Sequence, residues 1–293
     1  MYVLEDIEKS QKLKKIDLKL KLYLDEGQII MFAGHDKNTD VLFEIMGSFD
    51  PKYEGNFYKD DQKSVNLSSK DFVSEISYSR ALASYNKDMK VSKYIKLKRQ
   101  LADNFDSEFL SRVLEKFNID TKVKFDYLKE DYANIVLMAT ALAANKKLTL
   151  LGNFDFDDRQ AELEFIDMIL DRFRQGGQTI FIRSEDVNEL FFNRMIILKD
   201  GKVEFDQSQY EIVNKAKLIK GPAIALDKFK DKRVLAQSDN DLEAELKIYD
   251  EITPDEMDYL IGNKAEVKNL GMGELIKFVE EGSYGEVTKT EID

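Results

Sequence analysis

The clearest pattern along the chain is a strict alternation of apolar and polar residues from Ile16 to Leu24. A period of two over nine residues predicts a half-buried strand in an antiparallel sheet. The next run, QIIMFA at 28–33, is almost entirely apolar, which is typical of a strand buried on both faces. A short helix is expected over 39–46, with Gly47 as its C-terminal stop.

Apolar runs and helical patterns continue to alternate through the middle of the chain. Residues 85–146 are mostly helical by pattern, and short apolar strands follow them. Because apolar strands that alternate with helices are typical of α/β proteins, we expect a mostly parallel sheet with helices on both faces. The predicted elements are helices near 106–117, 131–144 and 159–174, strands at 148–151, 179–182 and 195–198, and a tight hairpin through Asp200-Gly201 into 202–205.

The character of the sequence changes beyond about residue 214. A Gly221-Pro222 break is followed by more charge and shorter patterns, which indicates a small α+β unit. The predicted domains are therefore 1–214, with a helical subdomain at about 85–146, and 215–293.

Composition then excludes several classes of chemistry. The 293 residues contain no cysteine, so disulfides, a thiol nucleophile and cysteine zinc sites are excluded. His35 is the single histidine, which excludes paired-histidine metal sites and argues against a Ser-His-Asp hydrolase. The net charge of −12 argues against general binding to nucleic acid. A calcium loop starting at Asp155 would need glycine and glutamate where Gln160 and Ile166 stand, so no metal site is predicted.

Several segments, taken in order, resemble the nucleotide-binding subunit of ABC transporters. DEGQIIMFAG resembles the strand leading into the phosphate loop, Gly47, Pro51 and Gly55 repeat the spacing after it, and FNRMIILKDGKVEFD resembles the segment after the switch histidine. The resemblance covers about residues 3–210, and the stretch 273–278 resembles the tail of ABC-2 exporter-type subunits. It implies a P-loop NTPase-like core with an N-terminal antiparallel part and a helical insertion, followed by the small C-terminal unit.

The phosphate loop departs from the family pattern G-x-x-x-x-G-K-[ST], in which backbone N–H groups and a lysine hold the phosphates and a hydroxyl holds Mg²⁺. This chain reads GHDKNTD at 34–40, two residues shorter and without the second glycine. Asn38 falls where the lysine belongs and Thr39 where the hydroxyl belongs, while Asp36 and Asp40 stand on either side of Lys37. If ATP and Mg²⁺ bind at all, the resemblance implies that they do so through Gly34, Lys37, Asn38 and Thr39.

The signature that opens a helix with Ser-Gly-Gly in the family is also replaced. The sequence here is Leu128-Lys129-Glu130-Asp131-Tyr132. Glycines at this point let backbone N–H groups approach a phosphate across a dimer interface. Two carboxylates would face that phosphate instead.

The remaining functional positions of the family are also replaced by other residues in this chain. Gly152 and Asn153 stand where the family has the magnesium-binding Asp and the general-base Glu. Glu185 corresponds to the switch histidine, and Ala81 falls near the glutamine loop, beside the groove that receives the permease. The adenine-stacking aromatic would fall near Gln11. No catalytic residue is therefore predicted.

The resemblance with these replacements predicts a pseudo-ATPase, a structural or regulatory subunit of a membrane export complex without cofactor. Its implied partners are a permease subunit, a second ATP-binding subunit in a homo- or heterodimer, or both, with a peripheral position at the inner face of the cell membrane. Two alternatives stay open: a divergent ATPase that binds ATP through Lys37 and Thr39, and a soluble scaffold without a transporter partner.

Overall fold

The computed structural model describes residues 1–11, 16–48, 52–59, 70–239 and 244–282. Pro51, one of the residues on which the family resemblance was based, lies outside them. The chain divides into two compact units, one of residues 1–185 with 198–203 and the other of 186–197 with 204–293. The expected division at 214/215, drawn from sequence character, stays a prediction.

The strands and helices that the patterns predict appear in the predicted order, together with strands at 2–11, 54–59 and 76–79 and a helix at 70–74 that the patterns did not predict. The strands are β1 (Tyr2–Gln11), β2 (Ile16–Leu24), β3 (Ile29–Ala33), β4 (Glu54–Lys59), β5 (Ile76–Ser79), β6 (Leu148–Leu151), β7 (Thr179–Ser184), β8 (Arg194–Lys199), β9 (Lys202–Ser208), β10 (Ala216–Gly221), β11 (Val234–Asp239), β12 (Ala244–Tyr249) and β13 (Glu266–Asn269). The helices are α1 (Lys37–Met46), α2 (Lys70–Ser74), α3 (Val91–Gln100), α4 (Ser107–Lys116), α5 (Glu130–Ala143), α6 (Arg159–Gly176), α7 (Gln209–Lys215), α8 (Ala223–Leu226), α9 (Pro254–Gly262) and α10 (Met272–Glu281).

An antiparallel sheet of order β2-β1-β4 forms the N-terminal part of the first unit. Burial alternates without exception along β2, so the half-buried strand read from the sequence is confirmed. Its buried side is the row of Ile16 and four leucines, each at most 9% exposed.

The larger sheet has the strand order β5-β6-β7-β3-β8-β9. Pairs β5/β6, β6/β7 and β7/β3 are parallel, and β3, β6 and β7 are buried along their whole length. Strand β8 turns into β9 through Asp200 and Gly201, both with positive φ, as the Asp-Gly hairpin predicts. The mostly parallel sheet expected from the apolar strands is confirmed.

Gly47 ends helix α1, but not by a left-handed backbone. Its φ is −76°, and the positive φ belongs to Ser48. A Cβ on Gly47 would lie 2.3 Å from the ring of Tyr78, so glycine is needed here for close packing. At the end of α6 the left-handed C-cap is present, because Gly177 has φ +58°.

Helices α3, α4 and α5 make up the helical part between β5 and β6. Helix α5 is buried on nearly all sides, as its uncharged sequence predicts. The buried Arg172 of α6 donates to Asp106 Oδ2 at 2.8 Å and to Asn145 Oδ1 at 2.6 Å. Asp106 also caps α4, so this guanidinium ties the start of α4 and the end of α5 to α6.

Strands β10 to β13 and their helices form the C-terminal part of the second unit. The chain order β10-α8-β11-β12-α9-β13 and the antiparallel strand order β11-β12-β10-β13 match the βαββαβ arrangement of ferredoxin-like folds. Its core lies between the sheet and helices α8 and α9, around Ile219, Phe229, Leu246, Ile248 and Leu260. Within the described ranges, no helix is both long enough and apolar enough to span a membrane.

Candidate nucleotide site

The turn between strand β3 and helix α1 holds the segment that corresponds to the phosphate loop. Gly34 leaves the strand with φ +98°, a conformation that favours glycine, and its N–H donates to Ser184 O at 3.1 Å. His35 is exposed, and Asp36 is already the N-cap of the helix. The turn is therefore too short to surround a phosphate with several N–H groups.

The carboxylate of Asp36 lies at the start of helix α1. Its Oδ1 accepts from the backbone N–H of Asn38 at 2.8 Å and from the Asn38 side-chain amide at 2.8 Å. Its Oδ2 accepts from the N–H of Gly201 at 2.8 Å. The free N–H groups and the dipole of a helix N-terminus attract anions. Here the chain supplies the anion itself.

Of the four residues expected to hold a nucleotide, the three that follow Gly34 and Asp36 in helix α1 have different environments. Lys37 is exposed to solvent. Asn38 is 5% exposed, and its Oδ1 accepts from the N–H of Asp17 at 3.0 Å. Thr39 is fully buried, and its Oγ1 has no hydrogen-bond partner among the described residues. A hydroxyl in that position is not available to a metal ion at the surface of the loop.

A buried arginine stands close to the same helix, and the sequence analysis missed it. Arg183 of β7 is 3% exposed; its Nε donates to Asp40 Oδ1 at 2.9 Å, and its Nη2 lies 3.8 Å from Glu185 Oε1. Its Nη1 is buried without a partner in the described part of the chain. The sequence feature that could have located this residue is a single cation in the strand TIFIRS, which is buried along its whole length. Glu185, at the switch-histidine position, thus lies beside a guanidinium, and its N–H donates to Asp155 Oδ1 at 2.8 Å.

Gly152 follows β6 at the position of the family's magnesium ligand. Its N–H donates to Ser79 O at 2.7 Å. A Cβ at this position would lie 2.8 Å from the ring of Tyr78 and 2.9 Å from Ser79 O, so the tyrosine fills the space of a side chain. Burial, and then the charge of Glu44, raise the pKa of Tyr78, whose hydroxyl lies 3.4 Å from Glu44 Oε1. Asn153, at the general-base position, is partly exposed.

The replaced signature opens helix α5. Lys129 is its N-cap but makes no side-chain capping bond, and Glu130 and Asp131 lie in the first turn. Asp131 is 9% exposed, and its Oδ2 accepts from the N–H of Asp158 at 2.8 Å. Asp158 in turn caps helix α6, its side chain accepting from the N–H groups of Gln160 and Ala161. The acidic pair therefore has a local structural role.

The two outer residues of this segment pack within the helical part. Leu128 is partly buried against the core of Val91, Tyr94 and Phe125, and the ring of Tyr132 lies 6.4 Å from that of Phe117. Among the described residues, no cluster of three or more His, Asp or Glu side chains could hold a metal ion.

Ala81 begins a short 3-10 turn, and its carbonyl accepts from the N–H of Ser84 at 2.9 Å. Close to it in sequence, an apolar groove runs between the end of α1, α2, β5 and the end of α3. Ala81 is not among its lining residues, which include Gly47, Val73, Tyr78, Leu101, Ala102 and Ala144.

Comparisons with known proteins agree with this architecture. The dimeric ATP-binding cassette MJ0796, in a post-hydrolysis state bound to ADP and Pi, superimposes with a TM-score of 0.61 over 71% of this chain and 99% of its own, at 20% identity. The fold is that of an ABC cassette. The putative cobalt transport ATP-binding protein cbiO-2, ST1066, gives a TM-score of 0.59 at 13% identity, covering 86% of this chain and 94% of its own.

CbiO1 from Clostridium perfringens, part of the transporter complex cbiONQ, gives a TM-score of 0.55 at 13% identity, covering 72% and 89%. No family model matches the sequence, and no curated protein does.

The groups at this site do not fit a nucleotide with magnesium. Asp36 holds the anion position at the helix N-terminus, the Thr39 hydroxyl is buried, and the ring of Tyr78 closes the position beside Gly152.

Proposed function

We propose that this chain is a non-hydrolytic pseudo-ATPase that serves as a structural or regulatory subunit of a membrane export complex. The observation that carries the proposal is the Asp36 carboxylate, bonded to the N–H groups of Asn38 and Gly201 at the N-terminus of α1. In an active cassette a phosphate of ATP uses this position. Because the chain's own carboxylate occupies this position, we expect the subunit not to use the nucleotide.

The electrostatic cost of adding a phosphate is large. Two like charges about 4 Å apart repel by about 4 kcal/mol at an effective dielectric constant near 20. That corresponds to about a thousandfold loss of affinity, since each 1.4 kcal/mol is about tenfold. Lys37 is exposed and can offset part of this repulsion, but Asp40 is already paired with the only buried arginine near this helix among the described residues.

Without an ATP-driven stroke, the subunit acts through its shape. We infer that it docks on a cytoplasmic segment of a permease, or pairs with a second ATP-binding subunit, at the inner face of the cell membrane. The apolar groove lined by Gly47, Val73, Tyr78 and Leu101 supports such docking, because it offers exposed apolar surface beside strand β5. Ala81 lies three residues from this groove in sequence.

Thermal unfolding of the full chain in a Mg-ATP titration, with calorimetry for binding, tests the proposal. A ligand bound only by the folded state adds about 2.7 kcal/mol of stability at 100 times its Kd. We expect no shift at millimolar Mg-ATP. A saturable shift that disappears in Lys37→Ala, but persists in the exposed control Lys202→Ala, would instead favour the divergent ATPase.

A second experiment separates a transporter subunit from a soluble scaffold. The tagged chain is purified in mild detergent from the membranes of its own cells. Recovery of a multi-span membrane protein in fixed ratio, reduced by Val73→Asp in the groove, supports docking through the groove. Recovery of the chain alone, entirely in the soluble fraction, refutes the permease partner.

A further inference from the structure

The segment 87–99, which leads into helix α3 and includes most of it, is strongly basic. It contains one acid, Asp88, and six cations: Lys87, Lys90, Lys93, Lys96, Lys98 and Arg99. Its net charge is 6 − 1 = +5, so the remaining residues carry −12 − 5 = −17. Asp88 pairs with Lys124 at 2.9 Å and neutralises none of the six. The segment is therefore a local region of positive charge in a protein whose net charge is negative.

Helix α3 presents these cations to solvent on one face. Val91 and Tyr94 are buried against the helical core, and the helical repeat turns Lys93, Lys96 and Arg99 outward. All three are exposed, and none forms an ion pair within the described ranges. Their charges are therefore available to an external partner.

Two exposed leucines lie beside the cations. Leu97 is 44% exposed and Leu101 is 76% exposed, and residues four apart lie on the same side of a helix. A helix with a cationic face next to exposed leucines is the pattern of segments that lie in the interface of an anionic membrane. A pocket around the cations would favour a protein partner instead. The groove described above is not such a pocket, because the α3 cation that lines it is Lys98 and not Lys93, Lys96 or Arg99.

We propose that the exposed face of α3 binds directly to anionic phospholipid headgroups. Lys93, Lys96 and Arg99 contact the phosphates, while Leu97 and Leu101 enter the acyl boundary. The inference rests on the proposed position at the membrane and adds a contact that needs no permease.

The effect is short-ranged and sensitive to salt. At physiological ionic strength the Debye length is about 8 Å, so the nearby +5 segment acts on the bilayer while most of the −17 elsewhere is screened. Each cation near an anionic surface raises the partition coefficient by about fivefold, so three contribute on the order of 100-fold.

The test is co-sedimentation of the purified full chain with vesicles of phosphatidylcholine alone or with about 30% phosphatidylglycerol. The variant Lys93→Gln/Lys96→Gln/Arg99→Gln removes three charges at exposed helical positions, and glutamine keeps the helix propensity. The matched control, Lys202→Gln/Lys268→Gln/Lys277→Gln, removes three exposed charges elsewhere. Circular dichroism checks that all three proteins are folded.

We expect the wild type and the control to bind only the anionic vesicles, with partitioning lowered on the order of 100-fold in the α3 variant and strongly reduced at high salt. Equal sedimentation with both vesicle types, no sedimentation at all, or unchanged binding of the α3 variant would overturn the proposal. Retention only on membranes that contain a permease, whatever the lipid charge, would also overturn it and point to a protein partner. Because the vesicles hold neither nucleotide nor permease, failure here is distinct from failure of the proposed function.

Discussion

Replacing Asp36 by alanine tests whether its carboxylate organises the turn before helix α1. The change removes the N-cap, which typically stabilises by about 1 kcal/mol. It also leaves the N–H of the buried Gly201 without its acceptor, at a cost of about 1–3 kcal/mol. The expected loss in the free energy of unfolding is therefore about 3 kcal/mol.

The assay is thermal and urea unfolding, followed by circular dichroism because the chain has no tryptophan. The unit that contains Asp36 has 185 + 6 = 191 residues, and for that size 1 kcal/mol shifts Tm by about 2–4 °C. We expect Tm to fall by about 6–12 °C. Asp36→Asn keeps the cap but offers an amide N–H toward Gly201, so it should lose about half as much.

Asp25→Ala is the matched control, because Asp25 is exposed and its carboxylate makes no hydrogen bond or ion pair among the described residues. It should change the free energy of unfolding by less than about 0.5 kcal/mol. If Asp36→Ala is no less stable than this control, the carboxylate does not hold the turn, and the argument for a self-filled anion position fails.

Three further changes test packing and ionisation in the same unit. Arg172→Ala should cost about 2–4 kcal/mol in urea unfolding, because it takes away the guanidinium that pairs with the partly buried Asp106 carboxylate and removes one of the two donors to the Asn145 amide oxygen. The exposed Arg174→Ala should cost less than about 0.5 kcal/mol. Gly152→Ala should lower the free energy of unfolding by about 1–3 kcal/mol, because the added Cβ meets the ring of Tyr78 and a carbonyl oxygen. Gly273→Ala, at an open helical position, should raise it by about 0.4–1 kcal/mol. Equal effects of the two changes on the free energy of unfolding would contradict the packing argument. Burial raises the pKa of Tyr78 above the unfolded value of about 10, so the stability it contributes is present below pH 10 and is lost as pH rises through the folded pKa. The Tm of the wild type should therefore fall more steeply between about pH 9.5 and 11 than that of Tyr78→Phe, and parallel curves would refute the assignment.

Most of the fold could be predicted from local patterns. The alternation in β2, the apolar runs of β3, β6 and β7, the Asp-Gly hairpin and helices α4 to α6 all follow from periodicity and capping residues. The ferredoxin-like topology of the C-terminal part could not be read, because strand order depends on pairings between residues far apart. The reason for a glycine at position 47 could not be read either, because the ring of Tyr78 that packs against it is distant in the sequence.

The candidate site was predicted only as a set of replaced residues. Counting along the chain placed Asn38, Thr39 and Gly152 at family positions, but not what surrounds them. The burial of the Thr39 hydroxyl and the location of Arg183 both depend on neighbouring strands.

The sequence by itself determined most of the elements up to β9, their order and the family resemblance, because periodicity, turn residues and caps act over a few neighbouring positions. Only the tertiary structure decided what occupies the start of helix α1. The carboxylate of Asp36 bonds to Gly201, 165 residues away, and Arg183 reaches Asp40 across 143 residues. Such contacts arise because the sheet brings distant turns together, and a linear pattern does not encode which side chains will then meet.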